Sequence, residues 1–170
     1  MELIDLLKDV KTTESCGNQH KEIAAICTDS RNCSEGSMFI AVKGAEADGH
    51  KYIGSAIGNG ATAIVCTEIP ESIEKEISNA GKSLNDITFI KVQDDRSAAA
   101  LVARNFYRDP SRNLRLVGVT GTNGKTTTSN LIKEIMNLSG HTCGYIGTSG
   151  YDVCGKVYEA RLTTPRQMDL

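Results

Sequence analysis

A loop of spaced glycines, one lysine and a run of threonines carries the clearest chemistry in this sequence: Gly118-Val119-Thr120-Gly121-Thr122-Asn123-Gly124-Lys125-Thr126-Thr127-Thr128. Glycine lets the backbone turn tightly around an anion, so that successive N–H groups point at phosphate oxygens. In that arrangement Gly121, Thr122, Asn123, Gly124, Lys125, Thr126 and Thr127 form a phosphate cradle. Lys125 would reach the β- and γ-phosphates and is the candidate catalytic cation, while the Thr126 hydroxyl is the candidate ligand for Mg²⁺. The spacing therefore predicts a nucleoside triphosphate site, for ATP. The general pattern G-x-x-x-x-G-K-[ST] places a glycine where Val119 stands. Glycines at 118, 121 and 124 define instead the narrower form T-G-T-N-G-K-T-T.

Such a loop works between a strand and a helix. Leu114-Arg115-Leu116-Val117-Gly118-Val119 reads as the strand, and Leu131, Ile132, Ile135, Met136 and Leu138 recur at helical spacing after it. A further strand is expected at 143–147 and a hairpin at 151–162 turning at Cys154-Gly155-Lys156. Upstream, the pattern predicts a short helix over 2–9 and strands at 23–27, 37–42, 63–66 and 87–92. Helices are expected at 51–59, with Tyr52, Ile53, Ala56 and Ile57 inward, at 70–79, and at 96–107 behind a cap from Asp94 or Asp95. Asp109-Pro110-Ser111-Arg112 interrupts the pattern and marks a boundary between residues 1–111 and 112–170. The fold class is α/β: a small amino-terminal α/β domain followed by the start of a P-loop α/β domain. Residues 112–170 are too few for a sheet covered on both faces, so the chain is expected to be the front portion of a longer enzyme.

The bulk numbers exclude several classes. The 170 residues carry a net charge of −2, which leaves no basic footprint for nucleic acid. No apolar run approaches the roughly 20 residues needed to cross a bilayer. The amino terminus is acidic and amphipathic, unlike a secretory signal. Six cysteines form no C-x-x-C pair and make no metal-spaced cluster with His20, His50 or His141. Cys27 and Cys66 lie in apolar runs and are expected to be buried free thiols, consistent with a reducing cytoplasm.

Three segments taken together resemble the Mur ligases, the ATP-dependent amide-forming enzymes of peptidoglycan synthesis. They are Thr28-Asp29-Ser30-Arg31 with Gly36-Ser37-Met38-Phe39-Ile40-Ala41-Val42-Lys43-Gly44, then Ala47-Asp48-Gly49-His50-Lys51-Tyr52-Ile53, then the P-loop itself. The T-N-G-K-T-T form and the turn Thr163-Thr164-Pro165 are similar to the members that add the third residue of the stem peptide. Members that add the terminal dipeptide share the first two segments and stay open as an alternative, as does a non-catalytic module binding a nucleotide or UDP-sugar.

The resemblance implies an amino-terminal domain that holds the UDP end of a UDP-N-acetylmuramoyl dipeptide and a central domain that binds ATP and Mg²⁺. It implies substrate contacts from Thr28 and Ser30, a close approach by Ala45, Glu46 and Ala47, and contacts to the muramoyl peptide from Thr163 and Thr164. Leu162 stands where relatives often have Asn. The implied reaction joins the D-glutamate γ-carboxylate to a diamino acid, meso-diaminopimelate or L-lysine, through an acyl phosphate. A monomeric cytoplasmic enzyme is implied, with the remaining metal ligands beyond residue 170, so that this polypeptide alone is expected to be inactive. Read by spacing alone, Asp29-Ser30-Arg31 and Asp48-Gly49-His50 also serve as Asx turns, and His50 is expected to be structural.

Overall fold

The computed structural model describes residues 1–44, 47–160 and 165. The chain divides into two compact units, Met1–Arg112 and Asn113–Leu170. The first is built on a five-stranded sheet of β1 (Thr12–Cys16), β2 (Ala25–Cys27), β3 (Ser37–Ile40), β4 (Ala61–Cys66) and β5 (Thr88–Val92) in the order β1-β5-β4-β3-β2. β2 to β5 run parallel, and β1 closes the β5 edge antiparallel. Parallel neighbours require crossovers, which are supplied by helices packed on the sheet faces. α2 (Ile53–Gly58) connects β3 to β4 and α3 (Ile73–Asn79) connects β4 to β5, while α4 (Asp95–Phe106) follows β5 and the short α1 (Leu3–Leu6) precedes β1.

Successive strand residues point to opposite faces, and the core divides accordingly. Phe39, Ala41, Ile64 and Phe89 pack with Ile53, Ala56, Ile57, Ile73 and Ile77 from α2 and α3. Met38, Ile40, Val65 and Ile90 are equally buried and alternate with them, on the side of α1 and α4. α1 is tied to α4 by Asn105, whose side-chain amide donates to the carbonyls of Leu6 at 3.0 Å and Lys8 at 2.7 Å. Tyr52 departs from expectation: residues Gly49–Tyr52 form a 3₁₀ turn before α2 begins, and Tyr52 is 47% exposed. The change of helical pitch rotates it off the apolar stripe that starts at Ile53.

The second unit holds α5 (Lys125–Leu138) and a three-stranded antiparallel meander of β6 (Tyr145–Gly147), β7 (Gly150–Val153) and β8 (Lys156–Tyr158). The hairpin between β7 and β8 turns on Cys154 and Gly155, both left-handed at φ 52° and 90°, as a two-residue turn matched to strand twist requires. Asp152 accepts from the Gly155 N–H at 2.8 Å and ion-pairs with Lys133 of α5 at 2.8 Å. Asn137 adds a second tie, its side-chain oxygen accepting from the Cys143 N–H at 2.8 Å.

The strand expected at 114–119 does not form. Residues 114–120 are neither helix nor strand, and Leu116 is 80% exposed. A strand exists only where a neighbour completes its ladder, and the sheet of this unit is the meander at 145–158. The apolar stripe of α5 is also split. Ile132 and Met136 are half-buried, whereas Leu131, Ile135 and Leu138 are exposed.

Candidate nucleotide and substrate sites

The loop Gly121–Gly124 enters α5 directly, with Gly124 at the helix cap in a left-handed conformation at φ 76°. Gly121 is likewise at positive φ, 152°. These two positions need glycine for their backbone angles, which let the chain fold over the helix end. The first turn of a helix leaves its N–H groups without intrahelical acceptors, so Lys125, Thr126 and Thr127 present donors at the positive end of the α5 dipole. Lys125 is exposed and donates through Nζ to the carbonyls of Gly121 at 2.5 Å and Thr122 at 3.3 Å. Its ammonium is thus folded over the loop. Thr122, Asn123, Thr126 and Thr127 are exposed around it. All seven cradle residues proposed from the sequence are therefore contiguous at one helix end.

The Thr126 hydroxyl is a hard oxygen of the kind Mg²⁺ takes, which fits a metal held largely by phosphate and water. Among the described residues no group of three or more His, Cys, Asp or Glu is placed to hold a metal ion.

In the first unit, Thr28 and Ser30 follow β2, and Ala47 lies in the segment following β3; both segments leave the carboxyl edge of the parallel sheet. Ligands of open α/β sheets bind at that edge. Ser30 opens a 3₁₀ turn over Ser30–Asn32 and is 6% exposed. Asp29 caps the turn, accepting from the Arg31 N–H at 3.0 Å, and clasps the Arg31 guanidinium. Asn59, just past α2, donates to the Ser30 carbonyl at 2.9 Å. Thr28 is half-buried, and Ala47 is exposed with its carbonyl accepting from the Gly44 N–H at 2.9 Å. Ala45, Glu46, Thr163 and Thr164 lie outside the described residues.

Both ends of the Lys43–Asp48 segment are held by side chains. At its start, the buried Asp95 accepts from the Lys43 N–H at 2.7 Å, and Arg96 donates to the Lys43 carbonyl at 3.3 Å. At its end, Asp48 accepts from the His50 N–H at 3.0 Å and contacts His50 Nδ1 at 2.7 Å. His50 Nε2 accepts from the Thr67 N–H at 3.0 Å, so hydrogen bonding assigns the proton to Nδ1. The imidazole spans from this segment to the end of β4. The backbone N–H of His50, then its ring, hold the Asp48 carboxyl below its ordinary value.

Two family profiles match the chain: "Mur ligase family, catalytic domain" over residues 22–107 and "Mur ligase middle domain" over residues 119–170. The chain belongs to the Mur ligase family. Among its relatives, the UDP-N-acetylmuramoyl-L-alanyl-D-glutamate--2,6-diaminopimelate ligase of Cytophaga hutchinsonii is 42% identical over 170 residues, 100% of this chain and 33% of that protein. A ligase of the same description from Clostridium acetobutylicum is 38% identical with the same coverage. A solved structure of such a ligase superposes with a TM-score of 0.63 over 93% of this chain and 30% of that one; at 21% identity the likeness speaks to the fold. This Mur ligase chain therefore spans about a third of the length of the curated relatives it matches.

Several residues of the Mur ligase fold were not singled out from the sequence. Asp95 reads there as an alternative helix cap, yet Asp94 does the capping, accepting from the Arg96 and Ser97 N–H groups at 3.0 and 3.1 Å. Asn59 and Thr67 carry no local motif. A polar residue left just after an apolar run is the one available signal for them. No helix among the described residues is long and apolar enough to cross a membrane.

Proposed function

We propose that this chain is the substrate- and nucleotide-binding front portion of an ATP-dependent ligase that adds a diamino acid to UDP-N-acetylmuramoyl-L-alanyl-D-glutamate. One observation carries the reading: the glycine-capped amino terminus of α5, with Lys125 folded over the loop, in a chain 42% identical along its whole length to a ligase named for that reaction. In this reading residues 1–111 form the UDP-substrate domain and residues 112–170 open the ATP domain.

The chemistry asked of these residues is modest. A carboxylate is a poor acyl donor and becomes a good one as an acyl phosphate, which the amine then displaces. Phosphoryl transfer needs placement and charge neutralisation more than covalent help. The N–H groups of 121–127 bind phosphate oxygens, and Lys125 exchanges its two loop carbonyls for the β- and γ-phosphates. Thr126 would hold Mg²⁺, which when bound supplies further neutralisation of the phosphate charge. Thr28, Ser30 and the 45–47 segment seat the uridine diphosphate, and Thr163 and Thr164 the muramoyl peptide. The enzyme acts as a monomer in the cytoplasm.

The test is ligation by the full-length protein with its Lys125→Ala variant. The variant is expected to lose turnover by at least about 10³-fold while binding the UDP dipeptide as the parent does. Normal turnover would remove Lys125 from its role. Comparing meso-diaminopimelate, L-lysine and D-alanyl-D-alanine as acceptors separates third-residue from terminal-dipeptide addition.

A further inference from the structure

Cys27 ends β2 and Cys33 follows the 3₁₀ turn, so the two thiols stand at either end of the Thr28–Asn32 segment that carries Ser30. Their sulfurs lie 2.8 Å apart, and the residues are 5% and 9% exposed. A disulfide bond is about 2.04 Å long, so closure needs a shift of less than about 1 Å. Cys66 shares the same apolar cluster, but no sulfur contact of this kind is formed by it among the described residues.

We infer that Cys27 and Cys33 form a dithiol site that a hydroperoxide converts to a disulfide, and that this bond fixes the Ser30 turn in a form with weaker hold on the uridine diphosphate ligand. Burial favours an oxidant as small as hydrogen peroxide over a bulky disulfide. The steps balance. One thiolate of the pair attacks one peroxide oxygen, the O–O bond breaks, and that cysteine becomes a sulfenic acid as hydroxide takes the thiol proton and leaves as water. Its partner then attacks that sulfur, the S–O bond breaks, and a second water leaves with the partner's proton. Two thiols have lost two electrons and two protons, and one peroxide has become two waters.

Local geometry supports the pairing. The two thiols share a hydrogen bond in which either sulfur can donate, so loss of a proton from one leaves a thiolate that accepts from the other. Either sulfur can therefore attack, with its neighbour already placed to resolve it. Cys66 has its thiol pushed up to about 11 by burial and serves as the internal control. The Asp29 cap and the Asn59 bond to the Ser30 carbonyl hold the turn in the reduced geometry. Drawing the sulfurs together moves the turn against both.

The weaker-binding half of the inference rests on the substrate reading above; the disulfide half does not. In the 170-residue chain with Cys16, Cys143 and Cys154 changed to serine, hydrogen peroxide is expected to remove two hydrogen masses, reversibly with dithiothreitol. Peptide mapping should join Cys27 to Cys33 and leave Cys66 reduced. Cys33→Val, close in size and apolar, should abolish the link. Peroxide-treated protein in which Cys27 and Cys33 both remain alkylatable after denaturation, or in which Cys66 is the partner, overturns the site. Calorimetry with the UDP-muramoyl dipeptide is expected to give an affinity at least about tenfold lower for the oxidised form. Equal affinity of the two forms overturns the switch. Absence of binding by the reduced form overturns the substrate reading and the switch with it, while the mapping still decides the disulfide.

Discussion

Two adjacent aspartates at the start of α4 divide their work by direction. Asp94 turns back and caps its own helix; Asp95, 8% exposed, reaches across to the Lys43 N–H. Removing the second acceptor strands a backbone donor. Asp95→Ala is therefore expected to cost about 1–3 kcal/mol of stability, whereas Asp95→Asn, which keeps an acceptor oxygen, should recover most of it; urea denaturation of both variants measures the difference. The other end of the same segment is pH-dependent. Asp48 is held low chiefly by the His50 N–H. A carboxyl whose folded pKa is depressed contributes stability that is fully present above its unfolded value, about 3.9, and is lost as pH falls through the folded one. Unfolding free energy measured from pH 5 downward should thus decline less steeply in Asp48→Asn than in the parent. A parallel decline in both would detach Asp48 from the acid limb.

At the scale of elements, the turn between α2 and β4 shows how a single backbone angle fixes a strand's entry. Gly60 sits at φ 107°, and a Cβ there would lie 2.6 Å from the Glu35 nitrogen and 2.8 Å from its Cα. Its carbonyl accepts from the Gly36 N–H at 3.0 Å, just before β3. Neither backbone can give way without shifting paired strands, so Gly60→Ala is expected to destabilise the first unit by about 1–3 kcal/mol, read as a lower midpoint in urea with an unchanged slope. The parallel strands and their helices were legible because both faces are buried, which writes continuous apolar runs such as Met38-Phe39-Ile40-Ala41 into the sequence. β1 was not legible: Thr12-Thr13-Glu14-Ser15-Cys16 is an exposed edge strand with no apolar alternation, identified only by its pairing to β5. Residues 114–119 erred the other way, having strand composition without a partner. Of the candidate sites, the loop at 121–127 was legible whole in the sequence because its residues are contiguous. The Asp95–Lys43 bond and the Asn59–Ser30 bond were not, since they join positions 52 and 29 residues apart that no short motif connects.

For the molecule as a whole, burial is distributed unevenly between the two units. Every buried apolar residue among those described lies within Met1–Arg112 except Tyr151. Apolar burial is the main favourable term in folding, and it must offset about 1–2 kcal/mol of backbone entropy for each ordered residue. The first unit meets that demand with a sheet covered on both faces. The second leaves Leu131, Ile135, Leu138 and Val157 exposed and relies on polar ties such as Lys133–Asp152. The polypeptide 1–112 is accordingly expected to unfold in one cooperative urea transition by itself, whereas 113–170 alone should show none. Native-state hydrogen exchange on the 170-residue chain offers the finer measurement. Amides of β3, β4 and β5 should exchange only through global opening, with protection that follows the urea-derived free energy. Amides of α5 should exchange through local opening at rates insensitive to Gly60→Ala. Protection of α5 equal to that of β4, falling in step with it in the Gly60 variant, would mean that the two units fold as a single cooperative body and that exposed apolar surface does not govern stability here.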